Sequence, residues 1–115
     1  MDTQELVKRY NAGEREFASA YLVGANLRGA ILSEANLSEA NLNQADLSRA
    51  DLRRACLDRA SLNGANLAGA NLEGAFLYGA SLSEANLMGA NLDGAHLHGA
   101  DLRGATMPGG AEATE

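Results

Sequence analysis

From Leu22 to Leu102 every fifth residue is leucine, and from Ala20 to Ala105 every fifth residue is alanine, with no break in either register. Seventeen consecutive Ala-x-Leu-x-x units define a repeat, and a repeat outranks any window-by-window reading of helix or strand. On an α-helix a step of five residues rotates by about 140°, which would scatter the leucines around the axis. In a flat strand side chains alternate, so a step of five would send successive leucines to opposite faces. Both are excluded. The pattern works if the chain turns a corner once per unit, sending Ala and Leu inward and the other three residues outward. That is a coil with a leucine-filled axis.

The flanks break the pattern. Asp2 to Tyr10 predicts a short helix: Asp2 can cap it, Glu5 follows three residues later, and Lys8 and Arg9 stand in the last turn where the helix dipole favours cations. Leu6, Val7 and Tyr10 form one apolar face, and Asn11-Ala12-Gly13 supplies the stop. A helix this short is marginal alone in water, so it is expected to cap the open end of the first coil. A partner-binding amphipathic helix is the alternative. Phe17 takes the first leucine position and is expected to fill the space beneath the cap, while Arg15 stands where alanine is expected. At the other end, Thr106-Met107-Pro108-Gly109-Gly110 terminates the array, because proline cannot donate the next ladder bond. The domain reading is a capping helix at 1–13, a repeat array at 14–107 and a disordered tail at 108–115.

Ala35-Asn36-Leu37, Ala45-Asp46-Leu47, Ala65-Asn66-Leu67 and Ala85-Asn86-Leu87 resemble the pentapeptide-repeat family, whose unit is Ala-(Asn/Asp)-Leu-x-x. The resemblance covers residues 17–107. It implies an all-β fold, a right-handed quadrilateral parallel β-helix with four units, hence 20 residues, per coil. Counting in twenties assigns the inward residues to four sides: Phe17, Leu37, Leu57, Leu77 and Leu97 on the first, and Leu22, Leu42, Leu62, Leu82 and Leu102 on the second. Leu27, Leu47, Leu67, Leu87 and Met107 fall on the third, and Leu32, Leu52, Leu72 and Leu92 on the fourth. About four and a half coils at the roughly 4.8 Å strand spacing give a rod of about 22 Å. The opening from Asp2 to Phe17, with its Tyr10 to Phe17 entry into the coil, is similar to that of small arrays from photosynthetic bacteria.

Two places after each leucine the residue is glycine in ten of seventeen units, yet Glu34, Glu39, Gln44, Arg49, Arg54 and Arg59 occupy it in an unbroken run. A corner that demanded positive φ would not accept six long side chains in succession, so glycine is expected to be optional there.

Composition narrows the functional classes. The chain has 115 residues, 4% aromatic, no tryptophan and a net charge of −6. The array itself holds nine acids and six arginines, leaving it 3 negative. Coil spacing places Glu34 beside Arg54, Glu39 beside Arg59 and Arg53 beside Glu73, so the arginines face carboxylates and no nucleic-acid partner is expected. No stretch reaches the roughly 18 apolar residues of a membrane span, and no leader pattern opens the chain; a cytoplasmic protein without membrane contact is expected. The single cysteine, Cys56, has no intrachain disulfide partner.

One side departs from the repeat. Cys56, Phe76 and His96 stand where Asn or Asp is expected, and Asp58, Tyr78 and His98 follow their leucines. Stacked at coil spacing they make two outward columns with rings next to rings. This strip is either a partner-binding site, since exposed aromatics on a polar rod are typical anchors, or drift on a surface side. A metal reading fails: Cys56 and His96 lie two coils, about 10 Å, apart, whereas zinc ligands sit about 2.3 Å from one ion. Ser61 and Ser81 share a column away from both histidines, and a convex rod encloses no cleft, so neither catalysis nor a cofactor is expected.

The sequence therefore predicts a non-catalytic protein-interaction or scaffold module with an unidentified protein partner. The uncapped C-terminal coil presents unpaired backbone, and two such ends meeting would make a homodimer. The alternative is an acidic DNA mimic acting on a type II topoisomerase, a role found in one branch of the family. DNA carries one charge per about 1.7 Å, so a rod of about 22 Å would need about 13 negative charges to match it.

Overall fold

A computed structural model describes residues 1–113. The fold is a four-sided β-helix measuring 39 × 22 × 22 Å with its cap. Every side pairs in parallel at a register of 20 residues: Glu16, Asn36, Cys56, Phe76 and His96 climb the first side, and Tyr21, Asn41, Ser61, Ser81 and Asp101 the second. The third carries Asn26, Asp46, Asn66, Asn86 and Thr106, and the fourth Ile31, Asp51, Asn71 and Asn91. The leucines from Leu22 to Leu87 fill the axis and are buried, with the alanines from Ala35 to Ala90 packed between them.

Each unit spends its polar groups in a fixed way. The leucine N–H donates to the coil that follows, as Leu57 N does to the Phe76 carbonyl at 2.7 Å. The alanine N–H closes a turn onto the leucine carbonyl, as Ala60 N does to Leu57 at 3.0 Å. Where the residue before leucine is Asn or Asp, its side chain accepts from the backbone two residues on: Asn36 from Ser38 N at 3.0 Å, Asp46 from Ser48 N at 3.0 Å, Asn66 from Ala68 N at 3.1 Å and Asn86 from Met88 N at 3.0 Å. This local bond satisfies an outward N–H that the ladder leaves unused and stiffens the strand-to-corner step.

The corner overturns one expectation. Glu34, Glu39, Gln44, Arg49, Arg54, Arg59 and Glu84 all have φ between 56° and 63°, in the same left-handed region as Gly64 at 69° and Gly69 at 68°. The turn is thus of type II in glycine and non-glycine units alike, and positive φ is required throughout. Long side chains are accepted because the leucine and alanine on either side are buried and the corner N–H is itself bonded to the next coil, as Glu34 N is to the Arg53 carbonyl at 2.9 Å. These constraints over-determine a conformation that costs an L-residue about 1–2 kcal/mol.

The cap, α1 (Thr3–Asn11), closes the first coil. Asp2 accepts from Glu5 N at 2.8 Å, and Gly13 (φ 99°) ends the helix with Gly13 N bonded to Tyr10 O at 2.9 Å and Glu14 N to Arg9 O at 3.0 Å. This is the Schellman arrangement. Leu6 and Tyr10 are buried against the array, but Val7, expected on the same apolar face, is exposed: a helix lying on a flat coil end buries a narrow stripe, and position 7 falls beside it. The Tyr10 hydroxyl donates to the Ser33 carbonyl at 2.8 Å, and the Arg15 guanidinium lies 3.7 Å from the Tyr10 ring centroid while donating to the Tyr10 carbonyl at 3.0 Å. Arg15, at an alanine position, thus pins the helix. Phe17 is buried under Arg9, whose guanidinium carbon lies 5.2 Å above the ring centroid.

Residues 108–113 are not the disordered tail that composition suggests; Thr114 and Glu115 fall outside the described residues. The Pro108 carbonyl still accepts from Gly89 N at 3.0 Å, and the chain then reverses so that Glu112 pairs antiparallel with Thr106. Ala113 N donates to the Ala105 carbonyl at 2.7 Å and Gly104 N to the Ala113 carbonyl at 3.1 Å, taking the bonds a further coil would have made. A bare strand edge is a template, and here the chain's own segment fills it on the third side. On the other three sides, among the described residues, the N–H groups of Leu92, Gly94, Leu97, Gly99 and Leu102 have no hydrogen-bond acceptor.

Candidate functional site

The strip on the first side forms, with one change of geometry. Phe76 and His96, 20 residues apart and bridged through their backbones, stack with ring centroids 4.7 Å apart and planes 4° from parallel. Tyr78 does not stack on His98. It tilts across to the first column, 5.6 Å from His96 and 6.4 Å from Phe76, so three rings form one cluster rather than two ladders. The corner at Gly79 follows directly, and a ring at position 78 finds more contact by leaning over the flat strand than by standing at the edge of the turn. Phe76 is 37% exposed and Tyr78 40%, and His98 stands exposed beside them. Cys56, one coil below Phe76, is half-buried and a free thiol.

From Cys56 upward this side gives up the local bond that Asn36 keeps near its base. Cys56, Phe76 and His96 have no side-chain carbonyl to accept from the residue two places on. Asp58 instead reaches up one coil and accepts from Tyr78 N at 3.0 Å. The rings therefore replace a stabilising feature of the repeat, and one carboxylate in the same strip makes good part of the loss.

Elsewhere polar columns satisfy themselves. Arg54 pairs with Glu34 at 3.1 Å and Arg59 with Glu39 at 3.4 Å, as coil spacing requires. The expected pair of Arg53 with Glu73 is not made: Arg53 turns to Asp51 in its own unit, with two side-chain bonds of 2.9 and 2.8 Å. A fork meeting a carboxylate two residues away orders less chain than a reach across coils. Arg103 and Asp101 repeat the arrangement, and that bond holds the Asp101 carboxyl down to about 2. Ser48 is buried, donates to Asp46 at 2.6 Å and receives from Arg28 at 3.0 Å; the Ser48 hydroxyl is the main cause of a lowered Asp46 pKa. Sequence reading missed this group and the ladder of Ser61 to Asn43 at 2.5 Å and Ser81 to Asn63, although residues 18 apart on a 20-residue coil are neighbours. Among the described residues no cavity opens on the surface, and no three His, Cys, Asp or Glu side chains gather where they could hold a metal ion. Among the described residues no helix is long and apolar enough to cross a membrane.

A family model described as pentapeptide repeats matches residues 20–59, 45–83 and 77–109 in eight copies. The chain belongs to the pentapeptide-repeat family, and its fold is the right-handed quadrilateral β-helix of that family. A pentapeptide repeat protein from the thylakoid lumen of Arabidopsis thaliana superposes with a TM-score of 0.77 at 33% identity, covering 79% of this chain and 63% of that one. The chain thus spans under two thirds of that protein's length. A pentapeptide repeat protein from Nostoc is 40% identical over 90% of this chain and 78% of its own, with a TM-score of 0.36. Comparison with curated proteins gives no match.

Proposed function

We propose that the chain is a non-catalytic protein-interaction module that engages an unidentified protein partner through the first side of its rod. The observation that carries this reading is the cluster of exposed Phe76 and Tyr78 with the half-buried His96 ring, the place among the described residues where rings meet on the outer surface; Tyr21, Ile31 and Met88 are also exposed on other sides but belong to no ring cluster. Large rings with few rotatable bonds make contact area at low entropic cost, which is why interface anchors are rich in them. The array behind them is rigid, so the strip is presented without prior ordering.

The test is a pull-down from native extract with the parent chain and with a variant carrying Phe76→Asn, Tyr78→Ser, His96→Asn and His98→Ser. These residues return the side to the repeat pattern and leave the leucine axis untouched, so circular dichroism should be unchanged. A partner held by the parent and lost by the variant supports the reading. Equal capture by both, or capture by neither, defeats it.

A further inference from the structure

The first side ends at His96-Leu97-His98, and one coil lower the structure records how that edge is filled. Leu77 N donates to the His96 carbonyl at 2.8 Å, Gly79 N to the His98 carbonyl at 3.1 Å, and the Ala75 carbonyl accepts from His96 N at 2.9 Å. The His96 ring meanwhile stacks on Phe76. The same groups recur one level up. Leu97 N–H, Gly99 N–H and the Ala95 carbonyl have no hydrogen-bond partner among the described residues. One face of the His96 ring rests on Phe76, and no described ring covers the other. Leu97 is only partly buried, unlike Leu57 and Leu77 beneath it.

We propose that this edge is a docking slot for an extended peptide segment of a partner protein, read as an aromatic residue followed by a large aliphatic one. Resting on the proposed interaction role, the inference names the chemistry of what binds. The segment adds as a parallel strand: its aromatic residue stacks on His96, its aliphatic residue covers Leu97, and its backbone takes up the two donors and one acceptor. Strand addition of this kind draws affinity from main-chain bonds and specificity from alternate side chains. The terminal coil already accepts one added strand, since Glu112 pairs beside Thr106 on the third side. The first side lies opposite, so that segment leaves the slot clear. It stands one level above the coil, however, where a second copy meeting end to end would need to sit, and this favours a single strand over a homodimer.

The probe is the pentapeptide Ala-Phe-Leu-Tyr-Gly with blocked ends, titrated into the full ¹⁵N-labelled chain, with Ala-Asn-Leu-Ser-Gly as control. The amides of Leu97 and Gly99 should shift and saturate, with half-saturation at about 0.1–1 mM for so small a contact. The control should bind about fivefold more weakly for want of the stacked ring. His96→Asn should bring the two peptides level while the spectrum of the array interior stays in place. Absence of shifts at those amides up to several millimolar, or no preference between the peptides, overturns the proposal. Shifts at the same amides on raising the concentration of the chain alone would give the edge to a second copy and overturn it equally. If the peptide fails while the four-substitution variant still loses its partner, this inference falls and the interaction role stands.

Discussion

The two ends of the rod are built from the same repeat and finished differently. At the N-terminal end Leu6, Tyr10 and Phe17 are buried over the first coil, and Leu22 and Leu27 beneath them are as hidden as the leucines of the middle. At the C-terminal end Leu92, Leu97 and Leu102 are only partly buried, and one side alone is closed by the returning segment. A repeat buries its core only between neighbours, so the sequence that makes the array cannot also end it. Finishing falls to residues outside the pattern: Arg15 and Tyr10 at one end, Pro108 to Ala113 at the other.

Substitution along the first side measures that contrast most strongly. Leu57→Ala, in the middle, should destabilise by about 3–5 kcal/mol, whereas Leu97→Ala, at the open end, should lose about 1 kcal/mol, both read by thermal or denaturant unfolding. Equal losses would mean that the end is covered in solution. At the closed end, Arg15→Ala removes the bond to the Tyr10 carbonyl and the contact with its ring, and should cost about 1–2 kcal/mol with loss of helical signal. A smaller effect would show that Leu6 and Tyr10 hold the cap unaided.

The corners give a gain instead. Arg59→Gly relieves a left-handed residue with φ 58° and gives up only an exposed ion pair, so stability should rise by about 0.5–1 kcal/mol. Amide exchange follows the ends: Leu57 N and Arg59 N, bonded at 2.7 and 2.8 Å, should exchange orders of magnitude more slowly than Leu97 N and Gly99 N on the same side.

The smallest effect is on acid stability. The Asp101 carboxyl is held at about 2 by its bond from Arg103, and Asp46 is lowered chiefly by the Ser48 hydroxyl, against an ordinary value of 3.8. A depressed folded value adds stability that is fully present above the unfolded pKa and is lost as pH falls through the folded one. The melting temperature should be level above about pH 4 and decline between about pH 4 and 2, and Arg103→Gln should flatten part of that decline. Both carboxylates are only half-buried and remain in contact with solvent, so screening keeps the change small.

Much of this was legible before any coordinates. The five-residue period dictates a coil with leucine inside, and steps of twenty place Glu34 by Arg54 and Phe76 by His96, because a fixed strand spacing turns sequence distance into contact. Other features escaped, three of them with a clear physical reason. The corner φ did, since six long side chains argue against a left-handed turn until the burial on either side is seen to enforce it. The turn of Tyr78 towards His96 did, because a side chain's lean depends on its neighbours rather than its register. The fold-back of residues 108–113 did as well, because a Pro-Gly-Gly stretch with a polar tail carries no apolar pattern, and only the bare edge beside it makes it a strand.

By itself, the sequence determined the leucine-filled axis, and with the four units per coil that the family resemblance implies it also set the vertical order of the outward residues, because a strict repeat leaves each position one neighbour above and one below. Tertiary structure alone decided what happens where neighbours run out or compete. Arg53 chooses Asp51 over Glu73, the tail closes one side and leaves three, and the aromatic strip ends beside unpaired backbone. Those outcomes rest on distances between groups that no period encodes.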